Sequence, residues 1–107
     1  MPKYLYHGSY TLEGVRGLLK VGGSSRKSHV EKIVASLGGH VEAFYYGLGG
    51  DQVYVILDLP DNVSGATLSL AINSSGGFKG ELIALLTAEE IDKSVDKTTS
   101  VGYKPPA

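Results

Sequence analysis

The sequence predicts an α+β fold, a four-stranded antiparallel sheet with helices on one face and a further helix at the C-terminus. Three observations carry this. Strand-prone and helix-prone segments alternate in the order β-α-β-β-α-β before a last helical segment. Two of the strand-prone runs are joined only by Gly49-Gly50-Asp51, a hairpin signal, because glycine supplies the positive φ that tight turns need. The central strand-prone runs are apolar at most positions, where a half-solvated sheet would alternate with polar residues.

The first strand is expected over Lys3 to Tyr10, where Tyr4, Tyr6 and Tyr10 surround Leu5. Thr11 is placed to cap a short helix whose apolar positions are Leu12, Val15, Leu18 and Leu19, with Glu13 in its first turn. Gly14 and Gly17 weaken that helix by roughly 1 kcal/mol each relative to alanine. Gly22-Gly23-Ser24-Ser25 is expected to end it and to offer a cap for the next helix. From Ser28 on, Val30, Ile33, Val34 and Leu37 recur at helical spacing and form one apolar stripe, which Gly38-Gly39 terminates.

Val41 to Leu48 and Gln52 to Leu59 are the hairpin strands. Pro60-Asp61-Asn62 breaks the second and caps a helix over Val63 to Asn73. The small residues of that helix (Gly65, Ala66, Ser69, Ala71) suit close approach to a sheet, and Asn73 is expected as its C-terminal cap. Phe78 to Leu86 is the fourth strand. Thr87-Ala88-Glu89-Glu90 matches a capping box, so a last helix should run to about Lys97 with Ile91 and Val95 one turn apart. The tail from Tyr103 is extended near Pro105 and Pro106. This order is the ferredoxin-like split β-α-β arrangement.

The helices can shelter only one face of the sheet, and a second copy of the chain is the expected cover for the other. The face assigned to that partner carries Tyr4, Tyr6, Phe44, Tyr46 and Tyr54, because tyrosine offers large contact area and a hydroxyl that an interface can satisfy. Strand register is not readable from the sequence, and the opposite parity would exchange the two faces.

With 107 residues, one domain is expected. Ten basic against eleven acidic residues leave a net charge of −1, without the basic excess that nucleic-acid or anionic-membrane binding draws on. The absence of cysteine excludes disulfides, thiolate metal sites and cysteine nucleophiles. No apolar run approaches the roughly 18 residues of a membrane helix. The opening Met1-Pro2-Lys3-Tyr4 has no signal-peptide apolar core, so a cytoplasmic location is expected.

Several segments resemble the GYD-domain proteins. They are Met1 to Tyr6, Gly8-Ser9-Tyr10-Thr11, Glu13-Gly14-Val15, Gly17-Leu18-Leu19-Lys20, Ser36 to Gly39, Glu42-Ala43-Phe44-Tyr45, Asp58 to Asn62 and Tyr103 to Pro106. The resemblance implies a small prokaryotic protein of the dimeric α/β-barrel type, in a family without an established biochemical role. The sequence departs from the family at the hairpin, where Gly50 stands in place of the tyrosine of the Gly-Tyr-Asp motif. No role of that tyrosine carries over, and Asp51 is expected as a turn residue.

His7, His29 and His40 match no local metal-ligand spacing, and no metal or cofactor is expected. Gly22 to Lys27 offers backbone N–H groups beside two cations, but without a phosphate-loop framework it reads as a solvated loop. No Ser-centred triad motif is present. The ligand-binding candidates are His7, Tyr10 and Tyr45 lining a cleft, with Arg26 meeting an anionic end. The expected function is a homodimeric module that binds a small apolar or anionic compound. The alternative is a cofactor-free enzyme, monooxygenase- or isomerase-like, with His7 as general base; that rests on analogy of fold.

Overall fold

The computed structural model describes residues 1–107. The elements are β1 (Lys3–Tyr10), α1 (Leu12–Val21), α2 (Gly23–Ser36), β2 (His40–Tyr46), β3 (Gln52–Asp58), α3 (Asn62–Asn73), β4 (Phe78–Leu85) and α4 (Ala88–Thr98). The strands form one antiparallel sheet in the order β2-β3-β1-β4. α1, α2 and α3 cover one face, with α2 against β2 and α3 against β4.

Local chemistry fixes most boundaries. The Thr11 side chain accepts from the Gly14 N–H at 3.2 Å, and Asp61 accepts from Ser64 at 2.8 Å. Thr87 and Glu90 complete the capping box with bonds of 2.9 and 3.1 Å. The segment ends α1 and caps α2 as expected, but through Gly22 alone: at φ 83° it turns the chain between the two helices, and the solvated loop expected over Gly22 to Lys27 is helical from Gly23 on. Gly23, Ser24 and Ser25 already belong to the first turn of α2.

The core lies between the sheet and α2–α3 and includes Tyr4, Tyr6, Val34, Phe44, Val55, Leu57, Leu59 and Leu68. Leu57, Leu59, Leu68 and Val34 are fully enclosed, each contributing roughly 1.5–3 kcal/mol of apolar burial. This overturns the face assignment. Tyr4 and Tyr6 are 3% and 4% exposed, and together with Phe44 they pack under the chain's own helices. Tyr46 shares that side, its hydroxyl donating to the Gly23 carbonyl at 3.0 Å. Of the five aromatic residues assigned to a partner, Tyr54 alone stands on the uncovered face, beside His7 and Tyr45.

Two features explain the parity. α3 supplies an acceptor for each buried phenol: Tyr4 donates to Asn62 Oδ1 at 2.6 Å and Tyr6 to Asn73 Oδ1 at 3.1 Å. A bulge at Glu42, between Val41 and Ala43, then shifts β2 by one residue, so that Val41 and Phe44 turn the same way. Glu42 at the bulge and Asp58 both accept from Lys3 Nζ, at 2.8 and 2.9 Å.

The uncovered face carries Leu5, Ile56 and Ile83 at its centre, paired across β1, β3 and β4. α4 contributes nothing to the core, and every residue from Leu86 to Ala107 is exposed. The radius of gyration is accordingly 17.1 Å, against about 13 Å for a compact chain of this length. No helix is long and apolar enough to cross a membrane.

Candidate functional site

The site is a funnel between the helices and the covered face of the sheet. Its inner part is a cavity of about 60 Å³ lined by eleven hydrophobic residues and Arg26. The sheet supplies Tyr6, Tyr10, Phe44, Val53, Val55, Leu57 and Phe78, α2 supplies Arg26, Val30 and Ile33, and α3 supplies Leu68 and Ile72. Its outer part is a groove of about 370 Å³ that adds Gly14, Gly17, Leu18, Val21 and His29 from α1 and α2, and Ala71 and Ser75 from the far side. Tyr10, Arg26, Ile33, Ile72 and Phe78 line both parts, so cavity and groove adjoin across these side chains.

Close backbone approach shapes this space. A methyl group on Gly14 would overlap the Gly77 carbonyl oxygen, so only glycine lets α1 come down onto the start of β4. At Gly80 a methyl would stand 2.8 Å from both the Tyr6 and Phe78 rings. The Tyr10 and Phe78 rings meet edge to face with centroids 5.1 Å apart, forming the wall between groove and cavity.

Arg26 is the one cation that reaches the cavity. His29, three residues further along α2, lines the groove beside it. Burial, with a smaller contribution from the neighbouring Tyr10 phenol, pushes the Tyr46 phenol up to about 12 against the opposing pull of Arg26. The mouth therefore gathers the Arg26 guanidinium, the His29 imidazole and the Tyr10 phenol over an apolar pit. Such a constellation can take the anionic end of a molecule whose body is hydrophobic. Apart from the Arg26 guanidinium and the tyrosine hydroxyls, the cavity walls are apolar, which suits a hydrophobic body better than water.

Of the four predicted ligand residues, the structure brings Tyr10 and Arg26 together here. His7 and Tyr45 are elsewhere. Both lie on the uncovered face, where the His7 ring stacks on Tyr54 at 6.3 Å and Tyr45 pairs with Tyr54 across β2–β3. Parity is the reason, since β1 alternates and Tyr6 turns inward. Asn73 also departs from its expected capping role: its side chain accepts from the Gly80 N–H and donates to the Gly80 carbonyl, both at 2.9 Å. His29 was the site residue without a sequence assignment. The signal available for it was Arg26-x-x-His29, which puts both side chains on one helical face. Among His, Asp and Glu, no group of three or more converges as a metal site would require.

The GYD domain model matches residues 4–95, most of the chain. The chain belongs to the GYD-domain family. The matched range extends through the first two turns of α4, so Ile91 and Val95 lie within the GYD domain. A comparison with curated proteins finds no match. The hairpin departure from the GYD motif has a conformational counterpart: Gly50 sits at φ 93°, a left-handed geometry that favours glycine over tyrosine.

Proposed function

We propose that this GYD-domain protein is a homodimeric small-molecule-binding module. Its ligand has a hydrophobic body, buried in the cavity between α2, α3 and the sheet, and one anionic group held at the mouth by Arg26. The observation that carries this reading is the lining itself, a lone guanidinium over eleven hydrophobic residues. A site built for acid–base chemistry would place a titrating group against the reacting atoms. His7, the candidate general base, stands across the sheet from the cavity, and His29 lines the groove rather than the cavity itself, which favours binding over catalysis.

The homodimer is supported by the apolar centre of the uncovered face, Leu5, Ile56 and Ile83. Two such sheets brought face to face make a dimeric α/β barrel, with a ligand funnel on the outer, helical side of each subunit.

The experiment uses anilinonaphthalene sulfonate, an aromatic anion that fluoresces in dry apolar sites. Saturable binding to the folded chain, abolished by Ile33→Trp and weakened about tenfold by Arg26→Ala, is expected; one lost charge-assisted contact is worth that much. Binding that neither substitution changes would overturn the reading.

A further inference from the structure

We infer that the ligand is an aromatic anion whose ring lies in the outer groove across Gly17, a position kept bare to admit it. This rests on the binding reading above, with Arg26 at the anion. It divides the hydrophobic body, placing the ring in the groove and a small apolar end in the cavity.

Gly17 has no reason within the chain to be glycine. It stands in the middle of α1, where glycine is among the poorest helix formers. α1 buries none of its residues, so little packing offsets that loss. The other glycine of the helix, Gly14, is explained by the Gly77 carbonyl oxygen, which a methyl group would overlap. At Gly17 a methyl group would meet no atom within 4 Å, and the backbone is not left-handed. Alanine would fit there and strengthen the helix. Gly17 lines the groove, so the room left by its missing side chain belongs to that space. A glycine that weakens its own helix beside a binding groove trades stability for close approach of a ligand.

The volumes assign the ring. An apolar cavity of about 150 Å³ takes benzene. The inner cavity, at about 60 Å³, is less than half of that, whereas the groove, at about 370 Å³, is more than twice it. A ring is therefore accommodated outside the cavity and an alkyl end inside it. The groove also has surfaces that suit a ring. Tyr10 and Phe78 offer aromatic contacts, and Gly14 and Gly17 present bare helix backbone against which a flat group can lie. Arg26 and His29 stand about one turn apart on α2, and no carboxylate lines the groove. Charge there selects an anion, and a guanidinium also stacks on aromatic faces.

Amide-shift titration of the full-length chain with 2-naphthoate and with octanoate, anions of similar hydrophobicity and different shape, gives the dissociation constants that decide this. Naphthoate is expected to bind at least about tenfold more tightly and to shift the Gly14 and Gly17 amides. Gly17→Leu should weaken naphthoate about tenfold or more while raising the thermal unfolding midpoint. Gly17→Ala should move both readouts the same way by less. Leu19→Gln, on the same helix outside the groove lining, should leave the affinity unchanged. A lowered midpoint in Gly17→Ala would make the glycine structural and overturn the inference, and octanoate binding as tightly as naphthoate would overturn the ring. Naphthoate affinity that Arg26→Ala weakens and neither Gly17 variant alters overturns this inference and leaves the binding reading standing. Affinity that none of these substitutions alters overturns both.

Discussion

The Asn73 side chain holds both backbone groups of Gly80, accepting from the N–H and donating to the carbonyl, each at 2.9 Å. Its Oδ1 also accepts from the Tyr6 hydroxyl at 3.1 Å. One side chain at the end of α3 thereby pairs the free edge of β4 and anchors a ring that lines the cavity.

Replacing this amide should be costly in graded steps. Asn73→Ala removes all three bonds and is expected to lower stability by about 2 kcal/mol, given roughly 1 kcal/mol for each net hydrogen bond and partial replacement by water. Asn73→Asp keeps the acceptor for Tyr6 and the Gly80 N–H, so it should lose about half as much. Urea unfolding measures both, and equal losses for the two variants would show that the acceptor is not the important group.

Alkaline titration should single out two of the seven tyrosines. Burial pushes the Tyr6 and Tyr46 phenols up to about 12, from an ordinary value near 10. Below pH 10 both are neutral whether the chain is folded or unfolded. From about 10 to 12 the unfolded chain ionises first, so stability falls as pH rises through that window. Absorbance at 295 nm should show a late phase that Tyr6→Phe and Tyr46→Phe each diminish; a single phase near pH 10 would contradict this.

The hairpin offers a backbone test. Gly50 is at φ 93° with open space where a side chain would stand, so the cost of a side chain there is conformational. Gly50→Ala is expected to destabilise by about 1 kcal/mol. A neutral or stabilising result in thermal unfolding would mean that the turn relaxes to another geometry.

Charge on the uncovered face should separate assembly from folding. Ile83, 42% exposed at the centre of that face, contributes nothing to the core between sheet and helices. Ile83→Asp is expected to keep its circular dichroism and sediment as a monomer. A dimer of unaltered strength would show that subunits pair elsewhere.

Much of the fold was legible because its signals are local. The capping box at Thr87, the cap at Asp61 and the glycine-rich hairpin each act within a few residues, and the structure places them where the sequence does. Which way the tyrosines point was not legible. That depends on the bulge at Glu42 and on acceptors supplied by Asn62 and Asn73, about three helical turns apart on α3. A one-residue change of parity is invisible to composition, and it separates His7 and Tyr45 from Tyr10 and Arg26. The side-by-side placement of cavity and groove is likewise a product of packing, since their lining comes from strands and helices far apart in sequence.

We propose a division of labour between the two sides of the sheet, ligand on the helical side and a second copy on the other. Amide chemical-shift mapping of the native chain during titration with anilinonaphthalene sulfonate tests it most directly. Shifts concentrated at Arg26, Ile33 and Ile72, with Tyr45, Tyr54 and Ile83 silent, are the predicted result. Shifts concentrated at Tyr45, Tyr54 and Ile83, with the cavity residues silent, would contradict it.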